Sequence, residues 1–180
     1  MSDAAGAPVR IRRARTSDVR HVRRFVDVYA PDRVLLSKAT VTLYEDVQEF
    51  WVAETDSDAG PIVVGCGALH VMWEDLAEVR TLAVDPAHRR RGIGHQILDQ
   101  LLSTARALGV RRVFCLTFEV DFFRSHGFRE IAGSPVTPGV FEELLRSYDE
   151  GVAEFLDLER VKPNTLGNTR MLLQFGTDGG

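Results

Sequence analysis

The sequence predicts an α/β domain in which helices flank a central mixed sheet. Two strand-like apolar runs, residues 62–73 and 76–84, are separated by only two acidic residues, which is the spacing of an antiparallel hairpin. A third run, residues 111–118, follows an amphipathic helix, and strand, helix and strand in this order predict a right-handed parallel unit. One sheet that contains both kinds of pairing is mixed.

The first sixty residues predict a strand, two helices and a second strand. Val9 and Ile11 alternate with arginines, as in a half-buried strand. Thr16 or Ser17 can cap a helix that ends before Pro31, and its apolar residues recur every three or four positions. The same pattern predicts a second helix over 41–50, which leads into a short strand over 51–54 and a turn over 56–61.

The second half of the chain is predicted to begin with a helix. Its apolar stripe covers residues 94–108, and Gly109 is well placed to end it. A short helix near residues 122–124 should follow the third run, with a strand over 128–131 and a closing strand over 170–175. Residues 134–167 have the weakest pattern, with a helix predicted over 141–148 and then an acidic run that reaches residue 159.

Length and composition suit one globular domain, which we expect to span residues 8–176 after a disordered segment at 1–7. The chain has 180 residues and a formal net charge of −4, which argues against a general nucleic-acid-binding protein. It has no apolar run of signal-peptide or membrane-spanning length, so no membrane association and a cytoplasmic location are expected. Its two cysteines, Cys66 and Cys115, lie in apolar runs and are expected to be buried thiols.

A phosphate-binding loop is predicted where the second apolar run meets the long helix, at Arg89-Arg90-Arg91-Gly92-Ile93-Gly94. Backbone N–H groups in the first turn of a helix have no partners within the helix and attract phosphate, and glycines allow a close approach. The alternative is an ordinary glycine turn beside solvated arginines. A Rossmann site needs a third glycine where the chain has Ile97, and a P-loop needs Gly-Lys-Ser/Thr.

The loop Arg89-x-x-Gly92-x-Gly94, with Leu82-Ala83-Val84-Asp85-Pro86 before it, resembles the acyl-CoA loop of the GCN5-related N-acetyltransferase (GNAT) superfamily. The resemblance implies the single-domain acyl-CoA N-acyltransferase fold and acetyl-CoA as cosubstrate. No metal is expected, because the histidines at 70, 88, 95 and 126 lack the spacing of metal ligands. The resemblance also implies that the main chain of residues 82–84 pairs with the pantetheine arm. The implied CoA-binding residues are Leu82, Ala83, Val84, Arg89, Arg90, Arg91, Gly92, Ile93, Gly94, His95 and Phe123.

Longer stretches, at residues 65–70, 78–86, 113–118, 122–128 and 162–168, are similar to the N-acetylglutamate synthases, and most of all to their short actinobacterial form. This resemblance implies acetyl transfer to the α-amino group of L-glutamate, which is the first step of arginine biosynthesis. It also implies a homo-oligomer and feedback inhibition by L-arginine. An acetyltransferase for another amine and a non-catalytic acyl-CoA sensor are the alternatives.

Glu78 is the candidate general base, because an α-amino group is mostly protonated near neutral pH and must lose a proton before it attacks a thioester. Glu78 and Arg80 should leave the same face of one strand; the alternative is a surface ion pair. The resemblance also assigns Glu78 as the base, and it gives the Thr117 hydroxyl a role in assisting the leaving thiolate. Phe123 occupies the place of a tyrosine acid found in many members. A covalent route through Cys115 is rejected.

The acceptor carries carboxylate groups, which basic, hydroxyl and amide side chains bind. The residues that the resemblance and the pattern propose for this role are Lys38, Arg80, Asn168 and Thr169. An arginine found on the closing strand of longer relatives is replaced here by Gly167. Loss of this cation makes L-glutamine a competitor to L-glutamate.

Overall fold

The computed structural model describes residues 7–32, 38–165 and 167–176, without the side chains of residues 163 and 164. The strands are β1 (Val9–Arg13), β2 (Phe50–Ser57), β3 (Gly60–Trp73), β4 (Leu76–Val84), β5 (Arg112–Thr117), β6 (Arg129–Glu130) and β7 (Thr169–Gln174). The helices are α1 (Val19–Tyr29), α2 (Thr40–Glu45), α3 (Ile93–Ala107), α4 (Val120–Ser125), α5 (Pro138–Leu144), α6 (Glu150–Phe155) and α7 (Lys162–Thr165).

The seven strands form one sheet in the order β1-β2-β3-β4-β5-β7-β6. β4 pairs with β5 in parallel, while β1 with β2, β2 with β3, and β7 with both β5 and β6 are antiparallel. The predicted α/β fold with a mixed sheet is therefore confirmed. No helix in the described part of the chain is long and apolar enough to cross a bilayer.

The chain divides into two compact units. The first contains the described residues up to Leu69 together with Val79–Thr104, and the second contains His70–Glu78 and the residues from Ala105 onward. The prediction of one domain over 8–176 stays a prediction, and residues 1–6 of the predicted disordered segment lie outside the described residues.

The core of the first unit forms around α1. The predicted apolar stripe of this helix is fully buried, from Val19 through Phe25 to Tyr29, against Leu43 of α2 and Phe50 of β2. Burying one such large side chain stabilises a fold by about 1.5–3 kcal/mol. The regular spacing of α1 was sufficient to predict this face.

Two glycines of β3 allow α3 to lie close to the sheet within the first unit. A Cβ on Gly67 would lie 2.8 Å from Ile97 Cγ2 and 3.0 Å from Leu101 Cδ1. A Cβ on Gly65 would lie 3.0 Å from the Ala83 carbonyl oxygen. Both positions therefore need glycine for space.

We expect Gly67→Ala to lower the free energy of unfolding by about 1–3 kcal/mol, because the new methyl group overpacks the contact with Ile97. Urea unfolding measures the change. Gly139→Ala in α5 is the matched control, because its added Cβ would meet nothing within 4 Å and its φ is not positive. The control should be neutral or slightly stabilising. Equal unfolding midpoints for the two variants would contradict this packing role.

The second unit is built on β5 and β7, which pair from Arg112↔Gln174 to Thr117↔Thr169. The rings of Phe114 on β5 and Phe155 on α6 meet edge to face, with their centroids 4.9 Å apart. Leu144 of α5 and Val152 of α6 join the same buried cluster. The short helices after residue 137 therefore cover the Phe114 face of this unit.

The predicted elements differ from the structure in three places. The helix predicted over 141–148 is α5, which begins three residues earlier, at Pro138 after the Thr137 cap, and ends at Leu144. The second helix, predicted over 41–50, ends at Glu45 and is followed by a 3₁₀ turn, and Phe50 already belongs to β2. The pairing of β2 with two neighbouring strands outweighs the helical spacing there. In the acidic run, α6 was not predicted; it begins where the Asp149 carboxylate accepts a hydrogen bond from Val152 N at 2.8 Å.

Candidate active site

The loop between β4 and α3 is shaped to receive an anion. Arg90 and Gly92 adopt positive φ angles of 61° and 72°. Gln96 N donates to Gly92 O at 3.1 Å where α3 begins, and the N–H groups of the first turn of a helix point away from its own carbonyls. A Cβ on Gly92 would meet no atom within 4 Å, and Arg90 and Arg91 are exposed. These residues fit a pyrophosphate group.

The three loop arginines differ in their contacts. Three identical neighbouring residues gave no basis for predicting this difference. Arg89 donates from Nε and Nη2 to the Tyr29 hydroxyl, at 3.2 and 2.8 Å. Arg91 donates to the carbonyl of Ala7 at 3.4 Å. Tyr29 belongs to the buried stripe of α1, and its spacing there gave no sign of a contact with the loop.

The end of β4 does not continue as a regular strand. Thr81 has a φ of 52°, which is a strained conformation for a β-branched residue. Beyond it, Ala83 is buried in the cluster around α1, while Leu82 lies next to Gly67 on the α3 side. Leu82 and Ala83 thus alternate between the two sides, and the irregular backbone is confined to the residue before them.

Glu78 and Arg80 are both buried. Glu78 is 4% exposed and Arg80 is 7% exposed, so the alternative of an ion pair on the surface is wrong. Glu78 pairs in register with Phe114 of β5 within the second unit, and Arg80 belongs to the first unit. A buried charge is costly unless other groups compensate it, and both side chains have interaction partners. Buried charges of this kind are concentrated at functional sites.

Arg170 of β7 lies on the same face of the second unit as Glu78, because it pairs with Leu116, two residues after Phe114. Burial lowers the pKa of its guanidinium, and the charges of Asp157 and Glu78 oppose that shift. The Glu78 carboxylate and the Arg170 cation therefore attract each other. Sequence reasoning did not identify Arg170, because a residue in a short closing strand has no pattern that distinguishes it.

Thr117 ends β5 and is buried. Its Oγ accepts a hydrogen bond from Glu119 N at 2.8 Å, so its proton can still be donated. By the alternation of β5, however, Thr117 leaves the face opposite to Phe114, with which Glu78 pairs. Thr117 pairs in register with Thr169 of β7. Its side chain does not lie on the face of the sheet that carries Glu78.

Phe123, the last predicted CoA-binding residue, is buried in an aromatic group of the second unit. Its ring meets those of Phe122 and Phe128 edge to face, at 5.2 Å between centroids in each case. It contributes no acid, in agreement with the absence of a tyrosine. In the first unit, Ile93 is buried under the start of α3, Gly94 is half-buried, and His95 is exposed.

The predicted acceptor residues divide between the two units. In the first unit, Lys38 Nζ lies 3.6 Å from Asp46 Oδ2, and Arg23 donates to the Lys38 carbonyl. In the second unit, Asn168 N donates to Thr165 O at 3.1 Å and precedes Thr169 of β7. The sequence gave no sign of the acidic partner of Lys38, because Asp46 was predicted to lie inside a helix.

Within residues 7–32, 38–165 and 167–176, no group of three or more His, Cys, Asp and Glu residues could hold a metal ion. Both cysteines are free and buried. Burial raises the pKa of the Cys66 thiol to about 12. Burial, and then the charge of Glu78, raise the pKa of the Cys115 thiol well above its usual value. Neither environment activates a thiolate.

We expect both thiols to resist alkylation by iodoacetamide at pH 8. A thiol in the unfolded chain loses its proton from about pH 8.5 upward, whereas the folded protein keeps both protonated there, so alkaline pH should favour unfolding. Mass spectrometry of native and urea-unfolded protein measures the labelling, and the unfolded sample should carry two labels. Rapid labelling of native Cys115, together with loss of acetyl transfer, would instead support an acyl-enzyme intermediate on Cys115.

Comparisons with known proteins agree with this geometry. Residues 46–130 match the acetyltransferase (GNAT) domain family. An amino-acid acetyltransferase from Mycobacterium tuberculosis is 64% identical over 163 residues, which cover 91% of this chain and 92% of that protein. The crystal structure of Rv2747 from M. tuberculosis in complex with CoA and NLQ has a TM-score of 0.89 and 62% identity, and covers 93% of this chain and 99% of that chain.

A longer protein shares the fold at lower identity. N-acetylglutamate synthase from Neisseria gonorrhoeae, complexed with coenzyme A and N-acetyl-glutamate, has a TM-score of 0.72 at 21% identity. The match covers 96% of this chain but 36% of that protein. In its complex with coenzyme A and L-arginine the TM-score is 0.68. At this identity the likeness concerns the fold alone, whereas the mycobacterial proteins are similar along nearly their whole length.

Proposed function

Since the chain belongs to the GNAT acetyltransferases, in the branch of the amino-acid acetyltransferases, we propose that it acetylates the α-amino group of L-glutamate or L-glutamine. Acetyl-CoA is the acetyl donor. The observation that carries the proposal is the buried Glu78 on β4, the strand that leads into the phosphate-binding loop. This activity would make the chain the enzyme of the first step of arginine biosynthesis.

For the donor, the proposal assigns binding to the loop and to β4. Acetyl-CoA supplies the acetyl group as a thioester, whose leaving thiolate needs little help because a thiol has a pKa of about 8.5. The amides at the start of α3 and the exposed Arg90 and Arg91 would bind the phosphates. Main-chain groups of residues 82–84 would hold the pantetheine arm.

For the acceptor, Glu78 would take a proton from the ammonium group, since only the neutral amine can attack. The Arg170 cation, on the same face of the second unit, attracts the Glu78 carboxylate and would also attract a carboxylate group of the acceptor. Thr117 would donate its proton to the departing thiolate in a secondary role. Lys38, Arg80, Asn168 and Thr169 are the proposed contacts of the acceptor.

Glutamate and glutamine both remain within the proposal. Lys38 already faces the Asp46 carboxylate, so part of its charge is compensated. Gly167 has a φ of 84° and no side chain that could supply a second cation. Both observations suit a neutral side-chain amide as well as a carboxylate. Inhibition by L-arginine, homo-oligomer formation and a cytoplasmic location stay predictions of the sequence.

A panel of free amino acids, assayed by the release of CoA thiol, tests the proposal. We expect kcat/KM for L-glutamate or L-glutamine to exceed that for every other amino acid at least tenfold, and added L-arginine to lower the rate. If no free amino acid is acetylated, the acceptor assignment fails. Binding of acetyl-CoA in calorimetry, without transfer to any amine, would instead indicate an acyl-CoA sensor.

A further inference from the structure

The side chain of Tyr29 contacts both ends of the segment that links β4 to the arginine loop. Tyr29 is the last residue of α1 and is 8% exposed. Its hydroxyl donates to the carbonyl oxygen of Val84, the last residue of β4, at 2.6 Å. The same oxygen accepts from Arg89 Nε and Nη2 at 3.2 and 2.8 Å. A phenol has one donor and two acceptor sites, and all of them are used here.

A second side chain of α1, that of Arg24, contacts the same segment at Asp85. Arg24 Nη2 lies 3.1 Å from Asp85 Oδ2, and the other oxygen of that carboxylate accepts from Ala87 N at 2.9 Å. Asp85 thus caps the turn that follows β4. Side chains of α1 therefore contact this segment at the Val84 carbonyl, the Asp85 carboxylate and the Arg89 guanidinium.

The contact with Tyr29 sets the orientation of an otherwise exposed arginine. Arg89 is exposed to solvent, although its Cζ lies 5.2 Å from the centre of the Tyr29 ring. An exposed arginine loses side-chain entropy when it binds an anion, and prior ordering of the guanidinium reduces that cost. The N–H groups that do not point at Tyr29 remain available for a phosphate oxygen.

We propose that Tyr29 is a positioning residue of the acyl-CoA site, which acts by orienting Arg89. The alternative is that Tyr29 only fills space in the core, since it belongs to the apolar stripe of α1. Phenylalanine would fill the same space without the hydroxyl, so the two interpretations differ in a measurable way. The inference rests on the proposed function, because it takes CoA as the ligand of the loop.

Calorimetric titration with CoA tests the inference separately from catalysis. Tyr29→Phe should raise the Kd for CoA about tenfold, since the lost hydrogen bonds involve a charged donor and ordering of Arg89. The kcat at saturating acetyl-CoA should change less than twofold. Tyr148→Phe is the matched control, because Tyr148 is 100% exposed, and its Kd should equal that of the wild type.

A double-mutant cycle with Arg89→Met shows whether Tyr29 acts through Arg89. In the Arg89→Met background, Tyr29→Phe should change the Kd less than twofold. A purely structural role predicts the same change in both backgrounds, or a lower Tm with an unaltered Kd, and either result would overturn the inference. Failure of the wild-type protein to bind CoA would overturn the proposed donor itself, and tight CoA binding without acetyl transfer would affect only the proposed function.

Discussion

Glu78→Gln is expected to lower kcat for acetyl transfer at least tenfold while the Kd for CoA stays within twofold of the wild-type value. The carboxamide has nearly the shape of the carboxylate but cannot accept the ammonium proton, and general base catalysis contributes about 10²–10⁴-fold in enzymes. Because Glu78 is buried on β4 and pairs with Phe114, the change replaces a charge without opening a cavity. Steady-state kinetics and calorimetry measure the two effects.

The control for this prediction is Glu142→Gln, an exposed glutamate of α5 in the second unit. It should leave both kcat and the CoA affinity unchanged. A rise of KM without a fall of kcat in Glu78→Gln would assign Glu78 to binding. Unchanged kinetics would remove Glu78 from the mechanism, and acetyl transfer would then need another base.

The parts of the site that the sequence could predict are those set by local backbone chemistry. The glycine at residue 92 follows an apolar strand and precedes a helical stripe, and the structure places a positive φ there. Gly109, predicted to end α3, has a φ of 84°. Strand spacing also predicted the neighbouring positions of β3, β4 and β5. In each case a few adjacent residues determine the conformation.

The parts that could not be predicted depend on residues far apart in the chain. The Tyr29 hydroxyl reaches Val84 and Arg89, which lie more than fifty positions later, although its own spacing indicates only a buried stripe. The positive φ of Thr81 has no local signal either, because a β-branched residue rarely adopts that conformation. Tertiary contacts decide these positions.

Arg170 provides the strongest example of such a contact. It donates from Nη1 to the Glu154 carbonyl at 3.0 Å and from Nε to the Gly133 carbonyl at 3.1 Å, and Nη2 also donates to the carbonyl of Phe155. Its Cζ lies 5.0 Å from the centre of the Phe114 ring. The Arg170 side chain thus binds both the carbonyl end of α6 and the loop at residue 133. The sequence pattern predicted no element at either place.

We expect Arg170→Met to lower the free energy of unfolding by about 2–4 kcal/mol. Methionine keeps much of the apolar contact with Phe114 but leaves carbonyl oxygens at the end of α6 without their charged donor. Urea unfolding measures the loss. Hydrogen exchange of the amides of residues 150–158 should increase more than that of α1, because the contacts of Arg170 lie in the second unit.

Arg129→Met, at an exposed position of β6, is the matched control and should change the free energy of unfolding by less than about 0.5 kcal/mol. Arg170→Lys separates charge from shape: a single ammonium group cannot replace the planar fork that reaches several carbonyls, so this variant should recover less than half of the loss. Full recovery by lysine would mean that charge alone matters at Arg170. Equal stability of the Arg170→Met and Arg129→Met variants would show that the carbonyl contacts of α6 contribute nothing, and that the packing of Phe114 against Phe155 holds the helix by itself.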